Sequence, residues 1–283
     1  MLAPEPRRLE PVGWHARLSL GFEPVAGRTA VTRRSHHGPL YCQRPFYPEP
    51  DGTCHLYVLH PPGGVVGGDE LEVEVHANSG ARVLVTTPAA TKLYRCPGAR
   101  SVVSNRLTVG PGAVLEWLPG ETIAFGGTHA RLATTIALEP GARFLGWEIT
   151  CLGRPAAGDA FTTGVLEQRM ELYVGGRPVM LDRTLTEGGG SLQRGAWGWG
   201  GRSVHGLFLA TLATSALVAE LRESVRAERP GSLFGVTTLG GVTVCRFLGE
   251  RAQDARDCLG AAWHIARRHV LDKPACAPRI WTT

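Results

Sequence analysis

Apolar and polar positions along this chain follow two rhythms, and the change falls about two-thirds of the way along. In the first part, short segments rich in β-branched residues are bounded by glycine or proline: Leu71–Val75, Arg82–Thr86, Ser101–Val109 and Arg131–Leu138. Such segments predict strands. Leu71-Glu72-Val73-Glu74-Val75 alternates apolar with acidic residues, the period-2 pattern of a half-buried strand. In the last part, Val204, Leu207, Phe208, Thr211, Leu212, Leu217, Leu221 and Val225 recur near helical spacing, with Glu220, Arg222 and Glu223 on other faces. They predict a helix that Pro230-Gly231 stops. Gly235–Leu239 and Val242–Leu248, joined across Gly240-Gly241, predict a hairpin. A second helix is predicted from about Arg251 to Leu271, on Ala255, Cys258, Leu259, Ala262, Ala266 and Val270, ending before Pro274.

A weak internal repeat adds a long-range constraint. A Gly-Ala turn leads into an apolar strand at Gly80-Ala81-Arg82-Val83-Leu84, at Gly112-Ala113-Val114-Leu115-Glu116 and at Gly141-Ala142-Arg143-Phe144-Leu145, at intervals of 32 and 29 residues. Gly-Ala turns also occur in β-sandwiches; the nearly fixed interval favours stacked β coils, each burying its apolar face on the next. The expected fold is mainly β, with β-helix-like stacked strands and a pair of C-terminal α-helices. No shift in composition marks a linker, so residues 1–283 read as a single domain. Its β-rich body covers about 14–200, helices plus hairpin 203–271, and a tail 277–283.

At 283 residues the chain buries roughly 75% of its unfolded surface, so its core requires neither disulfides nor a structural metal. The 37 glycines and 20 prolines favour short strands and tight turns over a helical bundle. The net charge of +5 is carried by arginine, since only Lys92 and Lys273 are lysines. These basic residues are scattered, which argues against nucleic acid and is compatible with an acidic protein partner. Seven cysteines without a C-x-x-C pair indicate neither a disulfide framework nor a zinc site. Met1-Leu2-Ala3-Pro4-Glu5-Pro6 has no signal-peptide core, and the longest apolar stretch, Leu207 to Ala219, is 13 residues. That is too short to span a bilayer. The expectation is a cytoplasmic, reduced protein with no membrane partner.

Most candidate chemistry fails on inspection. In His60-Pro61-Pro62-Gly63-Gly64-Val65-Val66-Gly67-Gly68-Asp69, the glycines have the spacing of a phosphate-binding loop, but Asp69 stands where a lysine is required and would repel phosphate. Asp69 is left either to cap its own turn or to serve a partner surface or polar passage. Glu116, Glu121 and Glu148 raise the possibility of a glycosidase pair. Yet Trp117 and Trp147, next to these acids, point to the opposite face of a strand, and 7% aromatic residues are few for a sugar site. A carbohydrate-active β-helix enzyme using Glu116/Glu148 is kept as the alternative. His36-His37, Cys42, Cys54-His55 and His60 form no closed metal cage by spacing; a loose transit site remains compatible with them. There is no G-x-S-x-G elbow. The balance moves from enzyme to interaction protein.

Read in order, the unusual strings are Gly38-Pro39-Leu40 with Gln43-Arg44-Pro45-Phe46; His60 through Gly64 with Gly68-Asp69; Thr87-Pro88-Ala89-Ala90-Thr91-Lys92 with Tyr94-Arg95; Glu116-Trp117-Leu118-Pro119 with Glu121; Trp147-Glu148 with Gly153-Arg154; and Pro278-Arg279-Ile280-Trp281 with Thr283. Together they resemble the urease accessory protein UreD family, called UreH in some organisms, over nearly the whole chain. The resemblance implies a β-helix-like fold with two C-terminal helices. It also implies a non-catalytic scaffold that binds apo-urease with UreF and the GTPase UreG and assists nickel insertion, with nickel in transit and no tightly bound cofactor. Carried onto this chain, it makes Asp69, Glu116 and Glu148 the carboxylates expected to line or border an internal passage. Thr87, Lys92, Tyr94, Arg95, Glu121, Arg154, Arg279 and Trp281 become interface or passage candidates. Glu148 and Arg154 are alternatively a structural ion pair, the Trp281 tail alternatively packs on the chain's own core, and a scaffold with no part in metal movement is a third reading.

Overall fold

The computed structural model describes residues 13–282; the stretch Met1–Pro6 and Thr283 of the last motif lie outside the described residues. The chain opens with an antiparallel pair, β1 (His15–Val25) and β2 (Arg28–His37), then passes through β3 (Tyr41–Cys42) to β4 (Cys54–Leu59). A coil follows, built from β5 (Glu70–Ala77), β6 (Arg82–Thr86) and β7 (Thr91–Leu93). The next coil is β8 (Ser101–Val109), β9 (Val114–Leu118) and β10 (Thr122–Ala124), and a third is β11 (His129–Leu138) with the long β12 (Arg143–Arg154). After β13 (Asp159–Ala160), the hairpin of β14 (Val165–Val174) and β15 (Arg177–Glu187) and a single turn, α1 (Ser191–Arg194), the chain forms β16 (Val204–Thr211) and α2 (Ser215–Ser224). A second hairpin, β17 (Leu233–Leu239) and β18 (Val242–Gly249), leads to α3 (Ala252–Leu271) and a short turn, Arg279–Thr282.

The Gly-Ala repeat is the seam of this stack. Arg82 lies opposite Val114, and Val114 opposite Arg143, in the parallel ladder β6-β9-β12, so the intervals of 32 and 29 residues are the coil lengths. Leu71, Val103 and Leu132 line up with the same offsets in β5, β8 and β11. Gly80, Gly112 and Gly141 all hold positive φ, at 71°, 65° and 79°, a conformation that favours glycine. The alanine after each closes its turn by donating its N–H to the carbonyl three residues back, in Asn78, Gly110 and Glu139. The turns stack directly, with Val114 N–H donating to Ala81 O and Arg143 N–H to Ala113 O.

Two sheets result. One has seven strands in the order β15-β14-β11-β8-β5-β1-β2, the other eleven, with β17-β18-β16-β12-β9-β6-β4-β3 as its main path. The smaller sheet buries one face: β5 alternates buried with half-exposed residues, which is why its sequence alternates. The central strands of the larger sheet are covered on both faces, while its edge strand β17 is largely exposed. Val83, Val85, Leu115 and Phe144 face the smaller sheet, while Leu84, Leu118, Leu145 and Trp147 face α2 and α3. Continuous apolar runs are the signature of such doubly buried strands.

That double burial explains the one misplaced element. The helix predicted from Val204 to Val225 exists only from Ser215, with Thr214 accepting a capping bond from Leu217 N–H at 3.2 Å. Val204–Thr211 is instead strand β16, pairing with β12 and β18. Its Leu207 and Leu209 enter the core between the sheets, whereas Phe208 and Ala210 enter the core under the helices. A strand apolar on both faces imitates a buried helix in one dimension. The predicted hairpin and α3 are present, and the six positions expected on the buried face of α3 are all buried. No helix of the described residues is long and apolar enough to cross a membrane.

Candidate functional site

Between the sheets the packing leaves two cavities, of about 330 and 410 Å³. Both are walled by Glu148 and Thr150 of β12, so these two residues form the partition where the cavities meet. Glu148 faces inward because β12 alternates: Trp147 and Ile149 point to the helices and Glu148 to the other sheet. Across the gap, Thr134 of β11 donates to the Glu148 carboxylate and accepts from Asn105 Nδ2 at 3.0 Å. Gln168 of β14 donates to Thr150 Oγ1 at 2.9 Å. This polar ladder crosses an otherwise apolar interior. Burial pushes the Glu148 carboxyl up to about 7, against the lowering effect of the Thr134 bond.

Each cavity also has a histidine in its wall, His60 in the first and His205 in the second. Burial lowers both pKa values, that of His205 to about 4, so His205 is a neutral imidazole at physiological pH. Trp117 lines the first cavity, and its buried Nε1 has no hydrogen-bond partner among the described residues.

The other two acids expected along a passage are placed elsewhere. Asp69 caps its own glycine-rich turn, accepting from Val66 N–H at 2.8 Å, and ties down the N-terminal segment through Trp14 N–H at 2.9 Å. It influences the first cavity through its charge, which raises the pKa of His60 against the effect of burial. Glu116 lies on the opposite face of the larger sheet from Glu148, fully buried under α3. There it accepts from Trp263 Nε1 at 2.7 Å and from Arg267 Nε at 3.1 and 3.2 Å. Because a sheet separates them, Glu116 and Glu148 do not flank one substrate, and the glycosidase pair has no geometric basis.

Arg267 is the centre of a buried network that the sequence did not reveal. Its guanidinium is fully buried, and its Nη2 reaches both carboxylate oxygens of Glu49, at 2.6 and 2.8 Å, as well as Glu116 at 3.0 Å. His55 and Lys273 complete the shell around Glu49, at 2.8 and 3.0 Å. Burial would raise the Glu49 pKa, yet bonds from His55, Arg267 and Lys273 bring it to about 2. Glu49, His55 and Cys276 are also the one group of three metal-type donors among the described residues, within 4.8 Å of one another. Arg267 and Lys273 already neutralise this site, and burial raises the Cys276 thiol, so the cluster suits a structural clamp better than a divalent cation. His36, His37 and Cys42 do not join it.

Of the remaining candidates, Thr87, Tyr94, Arg95, Glu121, Arg154 and Trp281 make side-chain contacts that hold the coils and tail in place. Thr87 lines the first cavity and accepts from Gly120 N–H at 2.8 Å. Tyr94 packs edge-on to Phe125 at 5.1 Å and lies so close to Gly64 that any side chain there would meet its ring. Arg95 donates to Gly126 O at 3.4 Å, and Lys92 is exposed on β7. Glu121 pairs with Arg256 of α3. Arg154 pairs with Asp159 at 3.5 Å and covers the Phe125 ring at 4.2 Å; its partner is therefore not Glu148. Trp281 packs back on its own chain, 5.3 Å from Trp147 and 5.5 Å from Trp263, and donates Nε1 to Thr86 Oγ1 at 3.0 Å. Arg279 begins the short turn that carries it. Trp281→Ala is expected to cost about 2 kcal/mol, below the roughly 3–5 of a fully buried tryptophan. A urea titration followed by fluorescence reads this, and an unmoved midpoint would remove the tail from the core.

The family model described as UreD urease accessory protein matches residues 15–282. The Urease accessory protein UreD 2 of Brucella anthropi is 41% identical, covering 96% of this chain and 99% of its own length. The Urease accessory protein UreD of Marinobacter nauticus is 45% identical over 95% of this chain and 93% of its own length. The UreD of Klebsiella aerogenes is 39% identical over 96% and 97%.

Proposed function

This chain belongs to the UreD family of urease accessory proteins, and on that premise we propose that it is a maturation scaffold through which nickel reaches apo-urease, in a complex with UreF and the GTPase UreG. The observation that carries the proposal is the pair of cavities between the sheets, which share Glu148 and Thr150 as a common wall. A carboxylate with hydroxyl and amide oxygens beside it holds Ni²⁺ weakly and releases it readily, unlike a cage of thiolates and imidazoles. Burial, which raises this carboxyl to about 7, also makes a cation compete with a proton for the same oxygens at neutral pH. His60 and His205, one in each cavity wall, offer a single neutral nitrogen on either side of the partition.

Co-expression with the urease subunits, UreF and UreG provides the test. Urease activity is expected to require this chain; equal activity with and without it would sink the assignment. Glu148→Ala is expected to leave the complex intact on co-purification while urease nickel content falls several-fold. Full nickel loading by Glu148→Ala would leave a scaffold with no part in metal movement.

A further inference from the structure

The two sheets do not close at the N-terminal end of the stack. β2 is the last strand of one sheet and β3 of the other, and between them the interior opens as a groove of about 870 Å³. Val31, Phe46 and Tyr47 form its apolar wall, and Arg28, Arg34 and Arg44 stand around it with no carboxylate among the lining residues. Phe46 is 44% exposed. Arg28 lies over the Tyr47 ring at 4.7 Å.

Four arginines on the strands of the smaller sheet are answered by carboxylates within the fold. Arg17 pairs with Glu74 at 2.8 Å, Arg106 with Glu72, Arg131 with Glu167 at 2.7 Å and Arg183 with Glu171 at 3.2 Å. None of Arg28, Arg34 and Arg44 is in an ion pair among the described residues. Thr29 N–H donates to Gly52 O at 3.0 Å, and beyond it the outer edge of β2 pairs with no strand. Three cations around an apolar slot, beside that open stretch of edge, present backbone hydrogen-bonding groups, positive charge and an aromatic contact together. β5 already shows how such a site is satisfied: its glutamates lie along β1 and β8 and neutralise Arg17 and Arg106.

We infer that this groove is a docking site for an acidic, extended segment of a protein partner, which lies along the edge of β2 left open beyond Thr29, with its carboxylates on Arg28, Arg34 and Arg44 and an apolar side chain on Phe46. The inference is independent of what moves through the cavities. Charge repulsion among the arginines also discourages a second copy of this chain from pairing there.

The experiment uses the full chain and a fluorescein-labelled peptide of alternating valine and glutamate, read by anisotropy, with the valine–lysine peptide and a labelled oligothymidylate as comparisons. The acidic peptide is expected to bind, to weaken as salt is raised, and to lose about tenfold or more in affinity on R34E/R44E. A proline-interrupted acidic peptide, unable to extend a sheet, is expected to bind more weakly. These arginines are exposed, so the thermal midpoint is expected to stay put; if R34E/R44E fails to fold, R34Q/R44Q and F46S give the same reading. Equal binding by the lysine peptide or the oligothymidylate, or no effect of the arginine variants on the acidic peptide, would overturn the inference. So would self-association in sedimentation that R34E/R44E abolishes.

Discussion

Arg267→Met is expected to lower the free energy of unfolding by about 3–5 kcal/mol, the usual cost of removing one partner from a buried charge network. In a chain of this size that corresponds to a fall of roughly 10 °C in the thermal midpoint. The loss comes less from the missing bonds than from what they leave behind. Glu116 is fully buried and Glu49 nearly so, and without the guanidinium Glu116 retains Trp263 while Glu49 retains His55 and Lys273. The attribution is checked by comparing Arg267→Met with the triple variant Arg267→Met/Glu49→Gln/Glu116→Gln in urea. If stranded charge is the cause, the triple variant recovers part of the loss, because its amides carry no charge to strand. Arg267→Lys is expected to fall well short of wild type, since an ammonium does not fork between two carboxylates. A loss under about 1 kcal/mol for Arg267→Met would remove the network from any role in seating α3.

Glu148→Gln is expected to make the protein more stable at alkaline pH and to leave it nearly unchanged under acid conditions. The ordinary carboxyl value is 4.5, and burial in the fold raises it to about 7. The folded state therefore holds a proton that the unfolded state releases between these values. Its contribution to stability is fully present below about 4.5 and is lost as pH rises through 7. By pH 8 the wild type bears a penalty of up to about 3 kcal/mol, which glutamine avoids because it mimics the protonated acid. His205 acts in the opposite sense: its pKa is lowered to about 4, so its contribution is present above 6.5 and lost as pH falls. That background is common to both proteins and cancels in their difference. Urea midpoints from pH 5 to 8.5 would decide the matter. A difference that does not change with pH would mean that the Glu148 carboxyl titrates normally.

What was legible in the sequence follows the geometry of burial. The alternation in Leu71–Val75 is visible because the smaller sheet has one solvent face, and the coil lengths are visible because a positive-φ glycine recurs at each turn. β16 was hidden because burial on both faces erases the period of 2. Glu148 stood out through its motif, but the partition it forms with Thr134, Thr150 and Gln168 joins three strands whose contact only the coil stacking reveals. Arg267 carried a faint signal, a charge one turn after Trp263 on the apolar stripe of α3, which requires a buried acid opposite. Glu116, set between Leu115 and Trp117, was that acid. Nothing local indicates Glu49, which is 218 residues away from Arg267.

That separation sets an order of events during synthesis. The coils emerge from the ribosome first and are able to stack as they appear, each on its predecessor. The larger sheet, however, waits for its second cover: Leu84, Leu118 and Trp147 stay open until α3 is released, and Trp281 reaches Thr86 across 195 residues. A nascent chain stopped short of Arg267 is a nearly complete stack with one greasy face and two acids unneutralised, the kind of species that aggregates or engages general chaperones. For this protein, α3 and the turn that carries Trp281 decide whether the strands made before them are kept.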